Sequence, residues 1–150
     1  MRIGRRLAAL VGALLLALPL AGCGEPSTED YCAQLRLDRE KLADMVSVGS
    51  PTALLDNLEL LQGLAEKAPS DLTDEWQTFL GALEDLDAAL RSADVSAEDF
   101  EGGEPPPGLA RADRDAVVAA ADQIRSEEVV GAASGIEQQG RDVCKVNLGL

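Results

Sequence analysis

Between residues 72 and 90 the chain places Leu72, Trp76, Phe79, Leu83, Leu86 and Leu90 in steps of four and three. With 3.6 residues per turn, that spacing lines all six side chains along one stripe of an α-helix. A strand cannot use the pattern, because its side chains alternate with period two. A helix with a single apolar stripe must bury it against other elements, so this segment demands partners. The rest of the chain supplies helices for that purpose. Ala and Leu abound, and no run alternates β-branched or aromatic residues with polar ones.

The apolar spacing predicts an all-α chain, an antiparallel bundle of four to five helices. The first covers roughly Glu29 to Val46, capped by Ser27 or Thr28, with Tyr31, Cys32, Leu35, Leu42, Met45 and Val46 on its apolar face. Gly49 ends it. Ser50-Pro51 restarts the chain as N-cap and first helical residue, and a second helix runs to about Lys67. Its stripe is Leu54, Leu58, Leu61, Ala65 and Ala68, widened by Leu55 and Leu64, and Pro69 stops it. The third helix begins at Ser70 or Thr73. Its aromatics share the leucine stripe, which reads as core; the other reading has Trp76 and Phe79 lining a ligand cavity inside the bundle.

The segment 92–110 breaks the pattern. Asp94, Glu98, Asp99, Glu101 and Glu104 lie between Arg91 and Arg111 with no base among them, and Gly102-Gly103 and Pro105-Pro106-Pro107 preclude regular structure. Ser96 to Asp99 can cap one short turn with Phe100 tucked inward. The order of ligands and glycine of a calcium loop is absent, so the segment reads as a solvated acidic loop. A fourth helix starts near Leu109 to Asp113 and carries Ala116, Val117, Ala120 and Ile124. Ser126-Glu127-Glu128 recaps the chain for a fifth, with Val129, Ala133, Ile136, Gly140 and Val143. One helix over 110–145 would be about 54 Å long against about 27 Å for the first, so a break near Arg125-Ser126 is expected. Glu137 and Arg141 form an i,i+4 pair in the favoured order. Gly131 and Gly135 either weaken the last helix or admit a close neighbour.

Charge and missing residue types exclude several functions. Residues 1–22 hold three of the thirteen basic residues and none of the 27 acids; the remaining 128 residues therefore carry ten bases and a net charge of −17. That argues against nucleic acid, whose phosphates are bound by basic surface. The chain has no histidine, which removes the histidine-dependent catalytic triads, the common zinc sites and the Glu-x-x-His ligands of di-iron bundles. No glycine-rich phosphate loop opens a helix. The expectation is a chain that is not an enzyme and uses no metal or cofactor.

The N-terminus carries Arg2, Arg5 and Arg6, then fourteen uncharged residues from Leu7 to Leu20. A basic segment, a short apolar run and small residues before a cut are the parts of a secretory signal peptide. As a helix the run reaches about 21 Å, short of a hydrocarbon core of about 30 Å. The sequence Leu20-Ala21-Gly22-Cys23 then resembles the lipobox of bacterial lipoproteins. The resemblance covers only the signal segment. It implies cleavage between Gly22 and Cys23, diacylglyceryl attachment to the Cys23 sulfur and further acylation of the new N-terminus. Two or more acyl chains anchor stably where one does not. Together with the helices read from apolar spacing, this divides the chain into signal peptide 1–22, lipidated Cys23 with a tether to residue 28, and a helical body over 29–150 that contains the acidic loop 92–110. Its location would be the extracytoplasmic face of the cell membrane. Ordinary secretion is the other reading, and Arg5-Arg6 fits the twin-arginine route poorly.

With Cys23 lipidated, Cys32 and Cys144 are left as one pair, which an oxidising space would join. The last helix would then be tied to the first by a disulfide and run antiparallel to it; two buried free thiols are the alternative. Loosely, the chain also resembles small lipoproteins of high-GC Gram-positive bacteria. The shared points are the lipobox, Tyr31-Cys32 near the mature start, helical middle sections, Cys144 before a short apolar tail and ten arginines to three lysines. That resemblance brings no activity with it. Two functions fit: a non-catalytic interaction module of the envelope, meeting an extracytoplasmic protein with a basic surface, or a helical carrier of a small apolar ligand or lipid.

Overall fold

The computed structural model describes residues 26–48, 52–100 and 104–150. Residues 1–25, with Gly22, Cys23 and the start of the tether, lie outside the described residues, as do Gly49, Ser50, Pro51, Glu101, Gly102 and Gly103. The described residues form seven α-helices and no strand: α1 (Thr28–Leu37), α2 (Arg39–Val48), α3 (Ala53–Asp56), α4 (Leu58–Ala65), α5 (Thr73–Ser92), α6 (Arg111–Ile124) and α7 (Glu127–Gln139). Short 3-10 turns occupy Ser70–Leu72 and Ala97–Asp99, and a π-helical turn over Gly140–Cys144 continues α7.

α5 is the centre. It packs against α3 and α4 on one side of its sequence and against α6 and α7 on the other. Its stripe explains this. Trp76, Phe79, Leu80 and Leu83 are buried with Tyr31 and Leu35 of α1, Leu42 and Met45 of α2, Leu61 and Leu64 of α4, and Val129 and Ile136 of α7. Each such side chain contributes about 1.5–3 kcal/mol when fully buried. Among the described residues no buried side-chain nitrogen or oxygen lacks a hydrogen-bond partner.

The first two expected helices are each divided. Asp38 sits between α1 and α2 with φ −90° and ψ 2°. Its buried carboxylate accepts from Gln34 Nε2 at 2.6 Å and from Lys41 Nζ at 3.2 Å. Asn57 separates α3 from α4, and its Nδ2 donates to the Ala53 carbonyl at 2.8 Å, the acceptor that a continuous helix gives to the residue 57 N–H. The Asn57 side chain competes with the backbone in this way, and apolar spacing alone does not register it; at Asp38 the backbone N–H still donates to the Gln34 carbonyl at 3.0 Å.

The expected caps at Ser27 and Ser126 are both present: each side chain accepts from the backbone N–H three residues on, at 3.1 and 3.3 Å. The break after Arg125 separates α6 from α7 as the length argument requires. Gly135 does admit a close neighbour, the side chain of Glu75, whereas nothing lies near Gly131.

Two positions differ. Ala116 is exposed, while the expected Val117 does turn inward on α6. Val143 is 47% exposed. The π turn adds a residue to the last helical repeat, so the inward position passes to Cys144. Cys144 joins Cys32 with a Cα–Cα distance of 4.8 Å across a separation of 112 residues. The last helix is thus tied to the first at the opposite end of its sequence.

The residues after the bridge complete the core. Lys145 takes a left-handed conformation with φ 61°, and the Val146 N–H donates to the Gly140 carbonyl at 2.9 Å. Val146 and Leu148 are buried. The Glu137 carboxylate accepts from the N–H groups of Leu148 and Gly149 at 3.1 and 2.9 Å, and meets Arg141 at 3.8 Å. Gly140 makes the fit work: a Cβ there would come within 3.0 Å of Leu148 Cδ1 and 3.2 Å of the Val146 carbonyl oxygen.

Three variants test this packing. Cys32→Ser/Cys144→Ser should unfold about 2–5 kcal/mol more easily, a drop of about 10 °C or more in Tm by calorimetry, while keeping its helical circular dichroism when cold. Unchanged Tm would show that the bridge contributes nothing. Gly131→Ala, in an exposed helical site with open space, should stabilise by up to about 1 kcal/mol. Gly140→Ala should destabilise by about 1–3 kcal/mol, because overpacking outweighs the helical gain. Equal effects in urea titration would contradict the packing of the tail.

Candidate functional site

α5 extends beyond the packed core. Leu83 is buried against the other helices, but one turn later Leu86 reaches a groove, and Leu90 follows it. The chain then reverses. Asp94 adopts φ 53°, and Ser96 and Asp99 form a capping box: the Ser96 N–H and hydroxyl both donate to Asp99 Oδ2, at 2.7 and 2.9 Å. These two hydrogen bonds, the backbone one foremost, hold the Asp99 carboxyl below the usual carboxylate range. The box fixes a single turn and delivers Phe100 to the groove. This is the inward Phe100 that the sequence suggests.

α6 forms the facing wall with Val117, Val118, Ala121 and Ile124. The groove has a volume of about 630 Å³ and opens to solvent. Val118 is 44% exposed in it. At one rim Arg125 pairs with Asp122 at 3.2 Å. The arrangement can seat apolar groups; it presents no nucleophile beside a base. A second cleft, beside α4 and α5, is lined mainly by charged and polar groups, among them Lys41, Asp56, Glu84 and Arg91. A third, shallower one lies between Pro26, Leu37 and Lys67.

Trp76 and Phe79 line none of these three clefts. Both are buried, ring edge toward ring face, with centroids 6.3 Å apart. Trp76 Nε1 donates to the Tyr31 hydroxyl at 3.3 Å, a buried hydrogen bond between α5 and α1. Tyr31 is 0% exposed. Burial pushes its phenol up to about 12, and the bond from Trp76 only partly offsets that. Cys32, next to Tyr31 in sequence, meets Cys144 in the bridge. Gly22 and Cys23 lie outside the described residues. Among the described residues no group of three or more Cys, Asp or Glu could hold a metal ion, and no helix is long and apolar enough to cross a membrane.

The groove is what the sequence reading missed as a site. Its signal was present in Ala116 to Ala121, a run of six small or branched apolar residues of which only Val117 enters the core. Comparison with protein-family models, with curated proteins and with solved structures finds no match for this chain.

The lone tyrosine gives a clean titration. Because its folded pKa of about 12 lies above the usual 10.0, the folded state holds the proton more tightly. That contribution, about 2–3 kcal/mol, is whole below pH 10 and is lost as pH rises toward 12. Phenolate absorbance should rise with a midpoint near 12 in the native protein and near 10 in urea. Tyr31→Phe should lose less Tm than the parent over that interval; a native midpoint near 10 would show the hydroxyl to be solvated.

Proposed function

We propose that the chain is a lipid-anchored, extracytoplasmic interaction module: a disulfide-closed helical body that presents a surface to a protein partner and performs no chemistry. One observation carries this reading. The core is packed and stapled, and one of the clefts open to binding is an apolar groove with no nucleophile beside a base in it. Support for the location comes from the bridge, since buried disulfides persist in oxidising spaces, and from the lipobox-like Leu20-Ala21-Gly22-Cys23. The charge of −17 over residues 23–150 favours a partner with a basic surface. It also leaves attachment to the acyl chains rather than to anionic headgroups.

The carrier is the second reading, favoured by the volume of the same groove. Its weakness is openness: an apolar ligand of ordinary size is enclosed over most of its surface, and Trp76 and Phe79 pack rather than line a cavity.

Intact cells producing the chain should incorporate a fatty-acid analogue into it and retain it in the membrane fraction. Cys23→Ala should abolish labelling and leave an unprocessed or soluble chain. Surface crosslinking should then capture a defined protein from the wild type. Equal labelling of both chains overturns the anchor, and capture of only random neighbours at physiological salt overturns the module.

A further inference from the structure

Past Cys144 the chain turns back over its own last helical turns. Lys145 takes the left-handed conformation, and the Val146 N–H donates to the Gly140 carbonyl at 2.9 Å. That bond closes a backbone loop that contains Cys144. Leu148 then lies against Gly140, where a Cβ would come within 3.0 Å of its Cδ1. Gly140 opens the π turn and Cys144 closes it, so Leu148 covers the turn that ends on the bridge. Val146 and Leu148 belong to the same buried cluster as both cysteines. Cys144 has 0% of its surface exposed and Cys32 4%.

The attachments of this segment are local. Lys145 Nζ donates to the Asp142 carbonyl at 2.7 Å, and the Leu148 and Gly149 N–H groups donate to Glu137 Oε2 at 3.1 and 2.9 Å. The Gly149 N–H also reaches Asn147 Oδ1 at 3.1 Å. Among the described residues all these bonds end on residues 137–147, and none crosses to α1–α6. One carboxylate, one backbone bond and two buried apolar side chains hold residues 146–149 down. A segment tied so locally opens at less free-energy cost than the whole fold, so it can lift while the helices stay packed.

We infer that residues 146–149 are a strap that gates the chemistry of the Cys32–Cys144 bridge. With the strap down the bridge is closed to thiols; a reductant reaches it when the strap lifts. The sulfur uncovered is that of Cys144, which adjoins the strap in the chain. An entering thiolate bonds to Cys144 Sγ, the S–S bond breaks, and Cys32 leaves as a thiolate. The second thiolate of a dithiol then displaces the first sulfur from Cys144. The two electrons come from the dithiol, which ends as a disulfide, and the protein ends with two thiols. Glu137 is the latch, because a charged carboxylate is a strong acceptor for the two strap N–H groups.

The test follows reduction of the purified full chain by dithiothreitol in native buffer. Samples are alkylated at intervals, and the peptides holding Cys32 and Cys144 are read by mass spectrometry. Glu137→Ala removes the latch and Leu148→Ala the buried side chain; each should be reduced about tenfold or more faster than the parent. Glu137→Ala leaves the apolar core whole, so the test stands on it even where Leu148→Ala loses its fold. Leu42→Ala truncates a buried side chain of α2, away from the strap. It should lower Tm yet keep its reduction rate within about twofold of the parent, because it leaves the local opening untouched. Glutathione, a monothiol, should be trapped on Cys144 with Cys32 alkylated. An unchanged rate in Glu137→Ala, equal acceleration in Leu42→Ala, or glutathione trapped on Cys32 each overturns the inference.

Discussion

The fold depends on two neighbouring residues, each held by a partner far along the chain. Tyr31 and Cys32 are neighbours near the start of α1, and each reaches far along the chain, Tyr31 to Trp76 of α5 and Cys32 to Cys144. Without them α1 would hold its place through little more than Leu35 and its links to α2 and α4. The chain-entropy model gives a loop of 112 residues about 4–5 kcal/mol of stabilisation, against a total of about 5–15 kcal/mol for a domain. The bridge then fixes where α7 ends, and that end places Gly140, Val146 and Leu148.

α5 distributes the remaining work. Its first half fills the core with aromatics, and its second half supplies one wall of the groove. A single amphipathic stripe thus packs into the core up to Leu83 and then lines the groove with the half-buried Leu86 and the buried Leu90. The capping box at Ser96–Asp99 makes the second use workable. A short hydrogen-bonded turn sets Phe100 against α6 inside a segment otherwise rich in acids, glycine and proline.

The helices and their order were legible because apolar period, N-cap serines and prolines are local signals. The stripe from Leu72 to Leu90, the caps at Ser27 and Ser126 and the break after Arg125 all appear where the residues place them. The divisions at Asp38 and Asn57 were not, because neither alters the apolar spacing; at Asn57 the side chain takes a backbone acceptor that helical spacing does not register. The tail was overlooked for a different reason. Cys144, Val146 and Leu148 are buried while Lys145, Asn147 and Gly149 are exposed, a period of two that helical templates pass over. The groove was the least legible, since it depends on how far two helices separated by some twenty residues stand apart in space.

The distance between Cys32 and Cys144 also sets an order in time. The bridge cannot close until residue 144 has been made and delivered, so the Cys32 thiol waits while more than a hundred residues follow. Cys23 lies only nine positions away. Closing that short loop costs about 2 kcal/mol less entropy than closing the native one, so a free Cys23 is the kinetically favoured wrong partner. On the proposed anchor reading, acylation of the Cys23 sulfur removes the competitor before the true partner arrives. On that reading lipid attachment would do two things: tether the body and act as a protecting group for oxidative folding.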